Sequence, residues 1–176
     1  MASKALRISG MRRWFCELAI GSLILGIPLS AAAANQCPWL NEATAGGLLG
    51  GDAVGTFTAP TAASPAVCTF VETGTNFKRT LTITVEVTSN AHTRVESLLS
   101  GCDAGMSPIK AIGNEAAICE AGNRKGARFQ RVIGRVRDQV FVIAFDTTLK
   151  TDPLLTPESL PAKIYTAAEQ VSGNLF

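Results

Sequence analysis

Nine residues, TLTITVEVT (Thr80–Thr88), alternate strictly between two classes of side chain. Leu81, Ile83, Val85 and Val87 fall on one side, and Thr80, Thr82, Thr84, Glu86 and Thr88 on the other. A period of two is the signature of a strand with one wet face. VCTFVE, Val67–Glu72, is the expected hairpin partner across TGTNFK. QVFVIAF, Gln139–Phe145, is apolar on both sides, which predicts a central strand covered on both faces. Its expected neighbour is Ala127–Arg137, with the turn near Arg137-Asp138.

Three other segments follow the helical period. Glu42–Leu49 has Asn41 as a natural N-cap and ends at Gly50-Gly51. A second helix is expected from Asn90 or Ala91 to Leu99, with Val95, Leu98 and Leu99 inward. In the last segment Leu160, Ile164, Ala168, Val171 and Leu175 form one apolar stripe, with Pro161 in the first turn. Asp52–Pro65 reads as loop with at most one short strand, and Pro153–Pro161 as a proline-rich connector. Helices at both ends and in the middle, around a mostly antiparallel sheet of about four to six strands, place the chain in the α+β class.

The pattern of the first 34 residues is different. Lys4, Arg7, Arg12 and Arg13 precede an almost wholly apolar run from Phe15 to Leu29, interrupted by Glu17, and Ala32 and Ala34 then supply an A-x-A site. This is the layout of a secretory signal peptide. Cleavage is expected after Ala34, leaving one domain, residues 35–176, in the periplasm or outside the cell. Arg12-Arg13-Trp14-Phe15 has the outline of a twin-arginine signal, but Met11 before it and Cys16-Glu17 after it depart from that pattern. No small residue directly precedes Cys16 or Cys37, so lipid anchoring is not expected.

Export changes how cysteine and charge are read. Of five cysteines, Cys16 leaves with the signal, and Cys37, Cys68, Cys102 and Cys119 remain. Four cysteines in an oxidising compartment predict two disulfides. Three pairings exist; Cys37–Cys68 with Cys102–Cys119 is favoured because neighbours in sequence meet most easily. Zinc is disfavoured by the absence of a C-x2-C pair and by a single histidine, His92. The 16 basic and 14 acidic side chains become 12 and 13 once the signal is gone. There is then no basic excess with which to hold nucleic acid, and no later run is long enough to span a membrane.

Catalytic patterns are weak. His92 sits at the start of a helix, there is no G-x-S-x-G, and paired cysteines leave no thiol nucleophile. Asp103, Glu115 and Glu120 lie near the second cysteine pair and are the carboxylates a cell-envelope hydrolase would use. GGLLGGDAVG lacks the spacing of a phosphate loop, the acids lack calcium-loop spacing, and no cofactor or metal is expected. The most distinctive feature is a basic run: Arg124, Lys125, Arg128, Arg131, Arg135 and Arg137, with no acid until Asp138. On an extended strand Arg131, Arg135 and Arg137 share a face. They are answered either by acids on neighbouring strands, such as Glu72 and Glu86, or by an anionic partner: a cell-wall polymer, a phospholipid surface or an acidic protein.

Cys37-Pro38-Trp39-Leu40 ahead of a small-residue helix, Cys68-Thr69-Phe70 in the first strand, and Ile112-Gly113-Asn114-Glu115-Ala116 before a hairpin together resemble small exported bacterial domains of unknown function, many of them lipoproteins. The resemblance implies a helix-flanked antiparallel sheet, comparable to PsbP-like domains associated with photosystems. It implies no activity. The functional expectation is a non-enzymatic exported domain that binds an envelope component or a protein partner. A carboxylate hydrolase is the alternative from another class, and a purely structural or stress-related envelope protein is a third possibility.

Overall fold

The computed structural model describes residues 36–102, 105–124 and 127–176, with the side chains of 120–129 outside that description. The expected export signal and Asp103 therefore lie outside the described residues, as do the side chains of Glu120, Arg124, Lys125 and Arg128. Three helices, α1 (Glu42–Leu49), α2 (Ala91–Leu99) and α3 (Leu160–Gly173), accompany seven strands: β1 (Val54–Thr58), β2 (Ala66–Thr73), β3 (Lys78–Val87), β4 (Met106–Ile109), β5 (Glu115–Arg124), β6 (Ala127–Val136) and β7 (Gln139–Thr147). All pair antiparallel in one sheet of order β1-β2-β3-β7-β6-β5-β4. The α+β class is as expected, but the sheet has seven strands rather than four to six. The extra strands are the edge pair β4 and β5. Their Pro108, paired alanines and Gly122 have little strand propensity of their own, and β5 is held by pairing with β6 along most of its length.

The two faces are covered unequally. On one, α1 packs over β2 and β3 and α3 over β6 and β7, enclosing a core that includes Phe70, Leu81, Ile83, Phe141, Ile143 and Ile164. On the other, among the described residues, α2 alone is laid down, over β6 and β7, where Val95 covers Ile133 and Val140. Gln139–Phe145 is thus covered on both sides for part of its length. The rest of this second face stays partly open. Its threonines fall in transverse register, Thr56 against Thr69, Thr69 against Thr82, with Ala144 next in line.

Local chemistry explains the helix ends. Asn41 Oδ1 accepts from the Thr44 N–H at 2.8 Å, and Gly50 takes the left-handed conformation (φ 93°) that ends α1. Leu160, Ile164, Ala168, Val171 and Leu175 are all buried, as their spacing predicts. A buried ion cluster lies at the far end of the main core. Arg79 grips Asp152 through Nε and Nη2 at 2.8 and 2.9 Å, and donates from Nη1 to Glu72 Oε2 and to the Leu49 carbonyl, each at 3.0 Å. Lys163 Nζ donates to the Leu48 carbonyl at 2.8 Å. Two cations therefore meet the carbonyl end of α1, where the helix dipole is negative.

Two disulfides, Cys37–Cys68 and Cys102–Cys119, join sequence neighbours. The first ties the segment before α1 to β2; the second ties the end of α2 to β5. At the sheet border, the Gly55 N–H of β1 donates to Glu42 Oε1 at 2.7 Å. No helix among the described residues is long and apolar enough to cross a membrane.

Candidate functional site

Two concave surfaces lie at the end of the sheet where β3 stops and β7 begins. There the Thr88 N–H donates to the Asp138 carbonyl at 2.9 Å. On the main-core side lies a cleft of about 650 Å³. The loop Pro60–Pro65 forms one wall, and Val85, Val87 and Gln139 the other. Trp39 and Phe57 meet edge to face at its base, with centroids 6.0 Å apart. Thr61 and Ser64 hold the loop in shape through a 2.7 Å hydroxyl pair. Val87 is 69% exposed although its strand neighbour Val85 is buried, so an apolar side chain stands at the mouth. Beside it Arg94 Nε donates to Glu86 Oε2 at 3.0 Å, both groups remaining accessible.

On the α2 side lies a shallower hollow lined by the first turn of α2 together with Arg135, Arg137 and Asp138. Glu115 is its hub. Arg135 Nε donates to Glu115 Oε1, and His92 Nδ1 lies 2.8 Å from the same oxygen. Burial opposes charge on Glu115, but His92 and Arg135 together outweigh it and lower its pKa. The Glu115 hydrogen bond in turn raises the pKa of His92, helped by Glu96.

Of the arginines expected on one strand face, Arg135 and Arg137 line this hollow and Arg131 lies apart from it. Arg131 passes under the C-terminal end of α2 and donates to Cys119 Sγ at 3.5 Å. Arg135 shares its face and meets Glu115. Arg137 lies beyond the end of β6, in the left-handed region (φ 56°), so strand alternation no longer aims it; its guanidinium sits 5.9 Å from the Phe176 ring. Glu72 and Glu86, the acids expected to answer this run, pair instead with Arg79 and Arg94. The turn at Gly113 is built as its type suggests: φ is 58°, and a Cβ there would come within 2.3 Å of the Arg135 carbonyl. That turn lets Asn114 receive the Arg137 N–H and delivers Glu115 to Arg135.

Of the carboxylates a hydrolase would need, only Glu115 can be placed. Its pKa is lowered, whereas a general acid needs one raised. No group of three or more metal-ligating side chains occurs among the described residues. The Trp39–Phe57 cleft and the His92–Glu115 contact were not legible in sequence. Each joins segments that are distant along the chain, and no local spacing marks them. No protein-family model, curated protein or solved structure matches the chain.

Proposed function

We propose that the chain is a non-enzymatic exported binding domain, released from its signal after Ala34, that receives an apolar segment of an envelope component or protein partner in the Trp39–Phe57 cleft. The observation that carries this reading is the exposed Val87 beside an aromatic-based cleft: an apolar opening rimmed by polar groups marks interaction sites. The two disulfides support an oxidising compartment. The lowered pKa of Glu115 fits it for the ionised member of a carboxylate pair and not for the general acid that the hydrolase alternative also needs. The test is crosslinking of the mature protein in an envelope extract, comparing the parent with Val87→Glu. Loss of the parent's crosslinked species is expected; an unchanged pattern overturns the assignment of the cleft.

A second reading is favoured by Arg135 and Arg137 lining one hollow: an anionic group of the partner docks there. Binding to anionic vesicles or an acidic polymer would then weaken with salt and fall when Arg131, Arg135 and Arg137 are all changed to Gln. Equal binding by the triple variant rejects it.

A further inference from the structure

The two disulfides invite direct comparison. In each, the first cysteine is half-buried and the second is fully buried: Cys37 with Cys68, and Cys102 with Cys119. Access to an attacking thiol therefore does not distinguish them. Their surroundings do. The Arg131 guanidinium points its Nε–H at Cys119 Sγ, while no side-chain hydrogen bond to Cys37 or Cys68 sulfur occurs among the described residues. Cys68 belongs to the main core, with Cys37 packed against it; Cys119 belongs to the much smaller cluster beneath α2, with Cys102 packed against it.

Thiol–disulfide exchange depends on which sulfur can be reached and on how well the other leaves as a thiolate. A cation beside a sulfur stabilises its thiolate. We propose that Cys102–Cys119 is an exchangeable bridge, opened by an external thiol at Cys102 Sγ with Cys119 as the leaving thiolate held by Arg131. The incoming thiolate forms a new S–S bond to Cys102 as the bond to Cys119 breaks, and the electron pair goes to Cys119 Sγ. A second thiolate of the donor then attacks its own sulfur in the mixed disulfide and frees Cys102, which takes up a proton. The bridge gains two electrons, and the donor, a dithiol reductant, ends as a disulfide. Opening removes the covalent tie between the end of α2 and β5, leaving the helix held by its cover over Ile133, Val140 and Val142 and by the exposed His92–Glu115 and Arg94–Glu86 contacts. Cys37–Cys68 is the structural counterpart that stays closed.

The experiment follows both bridges of the mature protein in dithiothreitol, quenching with alkylating reagent and mapping peptides. Cys102–Cys119 should open about tenfold faster than Cys37–Cys68. Arg131→Met, which keeps the aliphatic stem and removes the charge, should erase most of that difference, and Arg131→Lys should restore much of it. Brief exposure to glutathione should place the adduct on Cys102. Equal opening rates in the parent protein overturn the proposal without recourse to any variant. So does an unchanged rate in folded Arg131→Met, or an adduct found on Cys119.

Discussion

The two faces of one sheet are held by different means. The main-core face is closed by two helices and pinned at one end by the Arg79–Asp152–Glu72 cluster. Among the described residues the second face carries one helix, a bridge and a field of threonines. Adjacent residues of β7 show the contrast within one strand: Ile143 is fully buried in the main core, and Val142 is half-buried against α2. Stability is concentrated on the first face, and the second is left able to change.

The largest test of that contrast is Asp152. Its carboxylate takes both prongs of Arg79, the Thr147 hydroxyl and the N–H groups of Leu154 and Leu155. Asp152→Ala leaves Arg79 buried without its main partner and should cost about 3–5 kcal/mol in denaturant unfolding. Burial alone would favour the neutral acid, but Arg79, Thr147 and the two backbone donors hold the pKa far below the usual range. The stabilisation is therefore complete above the unfolded value, about 3.9, and is lost as pH falls through the lower folded value. Acid unfolding of the parent should show a steep limb that the variant lacks.

Next come the paired β7 truncations. Ile143→Ala should cost about 2–5 kcal/mol and Val142→Ala only about 1–2; equal losses would remove the asymmetry. On the open field, Thr82→Val should stay within about 0.5 kcal/mol of the parent. The smallest effect concerns His92. Its pKa is raised by Glu115, so its stabilising charge is fully present below about 6.5 and fades as pH rises through the folded value. His92→Gln should flatten the pH dependence of the melting temperature on that alkaline side.

Much of the first face was written in local pattern. Asn41 and Gly50 mark α1, the Leu81–Val87 alternation marks β3, and the stripe from Leu160 to Leu175 marks α3, because each depends on neighbours within a few residues. β4 and β5 were missed because alanine, glycine and proline do not declare a strand; pairing with β6 does. The buried ion cluster and the candidate site were the least legible parts. Arg79 meets Asp152 across 73 positions of chain, and His92 meets Glu115 across 23. Such contacts follow from topology, which no spacing within a segment encodes.

The hydrogen bond from Gly55 to Glu42 has a bearing beyond the single molecule. A sheet border with idle amide hydrogens recruits strands from other molecules. Here a carboxylate already occupies one such donor on β1, and Pro108 removes another from β4 at the opposite border. Both ends of the sheet are thereby blunted against stacking into fibres when copies crowd together.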